Sequence, residues 1–163
     1  MAAPARFTFR KAERLCSRRL LDGLFRHGTA FNTYPLRFVT WRTGAGIPVT
    51  GERSAAAPGR DSAMQVVLSV SKRHFKHAHD RNRIKRLLRE AWRQHKPILA
   101  ARSPTLATQL AGAVAPPWDP LLVAVLYIGK EMPESLEFVS RRLRKGLDRL
   151  RAELPTAPPV SPL

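Results

Sequence analysis

A short apolar strand that runs directly into a two-faced helix, over residues 69–93, constrains the fold more than any other part of the chain. The segment reads SVSKRHFKHAHDRNRIKRLLREAWR. If the helix begins after Asp80, five apolar residues fall on one stripe at helical spacing: Ile84, Leu87, Leu88, Ala91 and Trp92. Because such a stripe has to pack against other elements, the segment predicts a helix that lies on a sheet.

The opposite face of this helix is basic. It carries Asn82, Lys85, Arg86, Arg89 and Arg93. Cations without a carboxylate to pair with them repel one another, which favours an anionic partner, and a phosphate backbone suits this face geometrically. A basic face that only meets water is the alternative interpretation. Asp80 is expected to cap the helix, because a carboxylate there accepts hydrogen bonds from free backbone N–H groups.

The charge of the whole chain favours a nucleic-acid partner. Its 29 Lys and Arg residues exceed its 12 Asp and Glu residues, giving a net charge of +17. Net charge selects a class of partner and says nothing about the fold. The longest apolar run, residues 121–128, is far shorter than the roughly 20 residues that cross a bilayer. With no apolar signal core and a single cysteine, Cys16, the sequence predicts a cytoplasmic protein with no membrane partner.

Composition predicts one domain, residues 1–154, followed by a Pro-rich tail, residues 155–163, that is expected to be disordered. Two segments inside the domain are expected to be loop insertions. Residues 43–63 are rich in Gly, Ala, Pro and Ser and have no helical or strand period. In residues 100–120 several prolines allow at most a turn of helix.

The remaining elements follow from their hydrophobic periods. A helix is expected to run from its cap residue Ser17 to His27, with Gly28 as the stop. Pro133 and Ser135 are expected to start a final helix with a buried Leu and Val stripe. Strands are predicted over residues 36–41, 64–71 and 121–128. The order helix, strand, strand, basic helix, strand, helix predicts an α/β sandwich built on one sheet.

Two stretches of the sequence resemble the protein component of bacterial ribonuclease P. The first is SVSKR leading, through residues 73–80, into RNRIKRLLREAW, and the second is RRLLDGLFRHGTAF. The resemblance covers residues 7–41, 64–99 and 120–150. It implies a two-layer α+β sandwich like that of ribosomal proteins, with one mixed sheet and three helices. It also implies a left-handed crossover between parallel strands, contrary to the general rule.

The resemblance implies a protein subunit that binds the catalytic RNA of ribonuclease P and the 5′ leader of precursor tRNA. The subunit would assist the magnesium-dependent, endonucleolytic removal of that leader, with the active site in the partner RNA. Mg²⁺ is expected to be held mainly by RNA, because this ion retains its waters and needs few protein ligands. No protein partner is implied. The alternatives are a ribosomal or other structural RNA-binding protein, and a DNA-binding module that places the basic helix in a major groove.

The resemblance and the basic face together assign RNA contacts to the basic helix and the loop before it. Arginine holds phosphate oxygens with a two-pronged guanidinium, whereas lysine offers a point charge. Arg83 lies beside the apolar stripe, so a structural role on strand or loop carbonyls is its alternative. The predicted RNA-binding residues are Lys72, Arg73, Lys76, His77, His79, Arg81, Asn82, Arg83, Lys85, Arg86, Arg89 and Arg93.

In that family a cleft between the first helix and the sheet holds the unpaired leader, and Leu21 and Phe25 match its positions. Aromatic rings over a positive groove stack bases without reading their sequence. Leu21 stands where the family often has a second aromatic residue, which argues against stacking at that position. A place for Phe25 in the core, beside Leu24 and one turn after Leu21, is the alternative.

No set of residues in the sequence has the persuasive spacing of a catalytic site, such as paired carboxylates or a Ser/His/Asp arrangement. Three histidines, His74, His77 and His79, invite a zinc interpretation. No cysteine and no well-placed carboxylate apart from Asp80 joins them. We therefore expect neither a catalytic residue nor a metal site on the protein.

Overall fold

The structure is a computed structural model and describes residues 8–42, 64–100 and 121–153. The predicted insertion 43–63, nearly all of the predicted insertion 100–120 and the predicted tail 155–163 lie outside the described residues. The division into one domain and a tail stays a prediction. The strands are β1 (Thr29–Thr33), β2 (Leu36–Arg42), β3 (Met64–Val70) and β4 (Leu121–Tyr127). The helices are α1 (Arg18–His27), α2 (Ala78–His95), the short α3 (Pro97–Ala100) and α4 (Leu136–Glu153).

The four strands form one mixed sheet in the order β1-β2-β4-β3. β1 and β2 are antiparallel, as are β2 and β4, whereas β3 and β4 are parallel and are joined through α2. The predicted mixed sheet with three helices is confirmed, the three being α1, α2 and α4. The prediction missed β1, because Phe31 is the one buried residue of that five-residue strand and leaves little hydrophobic pattern to read.

One face of the sheet is packed under α2 and α4. The apolar stripe of α2 is buried there as predicted, with Ile84, Leu88, Ala91 and Trp92 all fully buried. Alternate residues of the strands meet this stripe, among them Phe38 and Val123. At the crossing of α4 and β2, a Cβ on Gly146 would lie 2.2 Å from the Phe38 ring, so a glycine allows the close approach.

The other face of the sheet carries a smaller core beneath α1. Its buried members are Leu15, Leu24, Val39, Leu122 and Ala124. Because successive residues of a strand point to opposite faces, β4 is buried on both sides, which explains its nearly continuous run of apolar residues.

The N-terminal segment is fastened to the sheet and to the end of α2. The Leu15 N–H donates to the Val66 carbonyl at 2.9 Å, which pairs the segment with the edge of β3. The ammonium of Lys96, which is 4% exposed, donates to the Thr8 carbonyl at 2.5 Å and to a carboxylate oxygen of Glu13 at 2.6 Å. A buried cation is thus paired and hydrogen-bonded, as burial of a charge requires.

The helix ends differ from the predictions in two places. α2 begins at Ala78 with His77 at the N-cap, so the prediction that Asp80 caps the helix is wrong. Asp80 lies in the first turn, where a carboxylate still favours the helix dipole. Ser17 does occupy the N-cap of α1, but its side chain makes no capping hydrogen bond. At α4 the Ser135 hydroxyl accepts a hydrogen bond from the Phe138 N–H at 3.2 Å, in agreement with the predicted start.

Candidate nucleic-acid interface

The loop between β3 and α2, residues 71–77, is held firmly against the end of the sheet. Phe75 is buried, and the centroid of its ring lies 5.8 Å from that of Tyr127. One guanidinium nitrogen of Arg81 donates to the carbonyls of Phe75 at 2.8 Å and Lys76 at 2.6 Å. Burial raises the pKa of Tyr127 to about 12, so its hydroxyl stays protonated and donates to the Glu131 carbonyl at 2.7 Å.

The carbonyl-binding role that was the alternative for Arg83 belongs instead to Arg81. Arg83 is exposed. Arg81 lies three residues before the buried Ile84, on the side of the helix that turns back toward the loop, so its guanidinium reaches the loop carbonyls. Contacts of either residue with RNA stay predictions.

The outward face of α2 presents the row of cations that the sequence predicts. Arg86 and Arg89 are exposed, as is Asn82, and Lys85 is half-buried. In the described part of the chain, no carboxylate lies within 4.0 Å of the cationic groups of Lys85, Arg86 or Arg89. The mutual repulsion of these charges is therefore not offset by ion pairs, and an anionic partner would relieve it.

Arg93 departs from this pattern. Its Nε donates to a carboxylate oxygen of Glu90 at 2.9 Å, so the view that no carboxylate pairs with the basic face is wrong at this position. The hydrogen bond from Arg93 holds the pKa of Glu90 below its usual value. The three-residue spacing that brings the pair together was readable in the sequence. The predicted RNA contact of Arg93 stays a prediction, and the pair makes its positive charge less available than that of Arg86.

Most of the predicted RNA-binding side chains in the loop and at the start of α2 are exposed. Lys72, Arg73, Lys76, His77 and His79 are all exposed. The rings of His77 and His79 stack with centroids 5.6 Å apart, and Nε2 of His79 lies 3.0 Å from a carboxylate oxygen of Asp80. Among the described residues, no group of three or more His, Cys, Asp and Glu side chains is placed to hold a metal ion.

The resemblance places the leader cleft between one flank of α1 and the sheet. Gly23 fits against the Trp41 ring, where a Cβ would come within 2.4 Å, and the His27 ring centroid lies 5.7 Å from that of Trp41. At 3.6 residues per turn, Leu21 and Phe25 lie on the opposite flank from Gly23. They therefore face away from the Trp41 ring.

The exposure of Phe25 decides between its two interpretations. The residue is 53% exposed, so the core alternative is wrong, whereas its neighbour Leu24 is fully buried. Leu21 is half-buried and packs against the smaller core. Phe25 thus offers a ring to solvent on the flank where the resemblance places the leader, while contact with the leader stays a prediction.

The sheet adds residues to this surface that were not predicted. One register row crosses all four strands beyond α1: Asn32, Arg37, Leu126 and Ser69. Asn32 and Arg37 are exposed, and Leu126 and Ser69 are half-buried. The alternation of β2 contained a signal, since Arg37 stands between the buried Leu36 and Phe38 and so lies on the opposite face. The row includes an exposed cation, Arg37, on the same face of the sheet as α1.

Known proteins are similar to this chain in sequence. A profile of the ribonuclease P family matches residues 9–118. The chain belongs to the ribonuclease P protein family. The ribonuclease P protein component of Porphyromonas gingivalis is 32% identical over 157 residues, which cover 96% of both chains. That of Chlorobium phaeobacteroides is 30% identical over 146 residues, or 88% of both chains.

A solved structure supports the fold independently. The Staphylococcus aureus RNase P protein superimposes with a TM-score of 0.52 at 18% identity, over 86% of this chain and 96% of that protein. At 18% identity, this similarity is evidence for the fold alone. In the residues that the structure describes, no helix is both long and apolar enough to cross a membrane.

Proposed function

We propose that this chain is the protein subunit of ribonuclease P, acting in the 5′ maturation of tRNA. The observation that carries the proposal is that Arg86 and Arg89 are exposed on α2 without a carboxylate partner among the described residues, inside the segment that the family profile matches. As a component of this enzyme, the chain associates with the RNA of ribonuclease P. We also propose that precursor tRNA is the second RNA ligand of the chain.

The contribution of the chain is electrostatic and positional. Two RNA molecules that must come together repel each other, and cations on α2 and on the loop 71–77 reduce that repulsion. Precise placement of a substrate beside the reacting groups is itself a large source of rate acceleration. The bond-breaking chemistry belongs to the partner RNA. We propose that Mg²⁺ is also held mainly there, by phosphate oxygens, and that the complex works in the cytoplasm.

The cleft beside α1 supports binding of the unpaired leader. An exposed ring at Phe25 and an exposed cation at Arg37 supply the two features that hold single strands, which are stacking and a positive groove. A subunit that grips the leader binds precursor tRNA better than the mature product. This difference would distinguish the chain from a purely structural RNA-binding protein.

Reconstitution with the cognate catalytic RNA tests the proposal. The full chain alone should leave precursor tRNA intact, and together with the RNA it should give leader removal at a magnesium concentration too low for the RNA alone. Cleavage by RNA-free, nuclease-treated protein would place the chemistry on the protein and contradict the proposal. Protein that binds the RNA without improving turnover would favour the structural alternative.

Salt dependence tests the role of α2. Arg86→Ala and Arg89→Ala should each reduce the slope of log affinity against log salt by roughly one counterion. Arg149→Ala is a matched control, because Arg149 is also an exposed helical arginine but pairs with Glu153 at 3.0 Å on α4. If all three substitutions leave the slope unchanged, the basic face of α2 only meets water. Preference for duplex DNA over structured RNA in competition would favour the DNA-binding alternative.

A further inference from the structure

The N-terminal segment, residues 8–15, carries cations to which neither the resemblance nor the predicted interface gives a role. Arg10, Lys11 and Arg14 are all exposed, and we call these three residues the N-terminal strip. Glu13 is the one acid of the segment. What the strip can bind therefore depends on whether Glu13 neutralises it.

Glu13 is not available to the other two charges beside it, those of Lys11 and Arg14. One of its carboxylate oxygens accepts a hydrogen bond from the ammonium of Lys96 at 2.6 Å, and the other accepts from the Arg10 N–H at 3.3 Å. Among the residues that the structure describes, no carboxylate lies within 4.0 Å of the cationic group of Lys11 or Arg14. These two charges therefore lack an ion-pair partner and can be neutralised by an added anion.

The N-terminal segment lies against one flank of α2. Lys85, Arg89 and Lys96 follow one another at spacings of four and seven residues, which places them on the same flank of the helix. The opposite flank meets α4, where the Ser140 hydroxyl donates to the Gln94 side chain at 3.5 Å. Because Lys96 donates to the N-terminal segment, that segment lies on the side of α2 that carries Lys85 and Arg89.

The sheet agrees with this placement. The Leu15 N–H donates to the Val66 carbonyl of β3, the strand at one end of the sheet order. The strand at the other end, β1, lies beneath α4, where the guanidinium carbon of Arg149 is 4.7 Å from the centroid of the Phe31 ring. The N-terminal strip therefore continues the basic surface of α2 away from α4, along the outer edge of β3.

Arg14 is held in position by an aromatic ring. Its guanidinium carbon lies 5.3 Å from the centroid of the Phe9 ring, and Phe9 packs against the larger core. A guanidinium stacked on a ring still has N–H groups along its edge, and these match the oxygens of a phosphate group. Because the position of this cation is set before a phosphate arrives, less entropy is lost on binding.

We infer that the N-terminal strip is a second set of phosphate contacts for the catalytic RNA, continuous with the basic face of α2. The inference rests on the proposed function of the chain as the protein subunit of ribonuclease P. Folded RNA is the partner that fits, because the strip offers cations but no exposed ring on which an unpaired base could stack. The buried pair of Lys96 and Glu13 positions the strip at the end of α2.

The salt dependence of binding to the cognate catalytic RNA tests the strip in the full chain. Lys11→Ala and Arg14→Ala should each reduce the slope of log affinity against log salt by about one, and the double variant by about two. Lys145→Ala is the matched control and should leave the slope unchanged. Lys145 is also exposed, lies on α4, and has no carboxylate within 4.0 Å among the described residues. Thermal unfolding of Lys11→Ala should match the parent, since the side chain is exposed.

The single cysteine of the chain allows a direct test of position. Cys16 is exposed and lies two residues after Arg14. An iron chelate attached to Cys16 generates hydroxyl radicals that cut nearby RNA. In the complex of the chain with the catalytic RNA alone, we expect cuts at a few discrete positions of that RNA. The same chelate on a protein with Cys16→Ser and Lys145→Cys should not cut at those positions.

Three results would overturn the inference while leaving the proposed function intact. The first is a Lys11→Ala, Arg14→Ala double variant that keeps the salt slope of the parent while Arg86→Ala lowers it. The second is an equal reduction in Lys145→Ala, which would show that the slope follows net charge alone. The third is a chelate on Cys16 that leaves the catalytic RNA uncut. A parent chain that does not bind the catalytic RNA would instead contradict the proposed function.

Discussion

The two faces of the sheet are built from the same strands but differ in how far helices cover them. On one face α2 and α4 cover the strands, and residues such as Phe38 and Trp92 are fully buried. On the other face α1 covers the residues around Val39, and Leu126 packs at the margin of the same small core, while Arg37 stays exposed. Stability comes mainly from the covered face. The half-covered face retains an aromatic residue, a cation and open strand surface, which are what a single strand of RNA needs.

This difference explains how a small protein combines a stable core with an adaptable surface. The helices α2 and α4, of 18 residues each, supply the larger core, whereas α1 has ten residues. Its ten residues bury a single side chain completely, Leu24. Substitutions on the covered face should therefore change folding, and those on the half-covered face should change binding.

The largest effect is expected at Trp92, on the covered face. Trp92→Ala should lower the free energy of unfolding by about 3–5 kcal/mol, because it removes a fully buried ring. The indole N–H has no hydrogen-bond partner among the described residues, so Trp92→Phe should cost much less. Denaturant unfolding measures both. A small loss for Trp92→Ala would mean that the covered face does not dominate stability.

An intermediate effect is expected at the border between the faces, where Arg81 holds the loop. Arg81→Ala should lower the free energy of unfolding by about 1–3 kcal/mol, since two carbonyls lose a charged donor. Arg83→Ala is the control, because Arg83 is exposed two positions away, and it should change stability by less than about 0.5 kcal/mol. Equal losses in the two variants would show that the carbonyl contacts are unimportant.

A smaller effect, dependent on pH, is expected where α2 meets α4. Burial, and then the nearby charge of Arg144, lower the pKa of His95, while Asp148 opposes the shift. The ring also contacts the Ser140 hydroxyl at 3.1 Å. The unfolded chain therefore binds this proton more readily than the folded chain does. The contribution of neutral His95 is present above pH about 6.5 and is lost as the pH falls below it.

The check on this pH dependence is a comparison with His95→Gln. Between pH 7.5 and pH 5.5, the parent should lose more stability than the variant, because glutamine has no proton to gain. Denaturant unfolding at the two pH values measures the difference. Parallel losses in both proteins would assign the pH dependence to other groups.

The sequence predicted the long elements well and their fine contacts less well. α2, α4 and β4 have many apolar residues at one period, so their existence and buried stripes could be predicted. β1 could not, because only Phe31 is buried in it. That Arg81, and not Arg83, binds the loop carbonyls depends on the path of the loop 71–77, which local spacing does not determine.

The exposure of Phe25 also depends on tertiary packing and could not be predicted from local spacing. Helical spacing places Phe25 at the margin of the apolar stripe, and only the rotation of α1 on the sheet decides whether such a residue is covered. Contact between Gly23 and Trp41 turns the flank of Phe25 away from the core. The Arg93–Glu90 pair, in contrast, follows from a spacing of three residues and could have been predicted.

The most direct test of the contrast between the faces compares two neighbouring residues of α1, the fully buried Leu24 and the exposed Phe25. Thermal unfolding and affinity for precursor and mature tRNA are measured in parallel for the two alanine variants. Leu24→Ala should cost about 2–5 kcal/mol of stability, while the folded protein keeps its preference for precursor. Phe25→Ala should keep its stability and lose about 1–3 kcal/mol of binding to precursor alone. A stable Phe25→Ala protein that still prefers precursor as strongly as the parent would contradict the account.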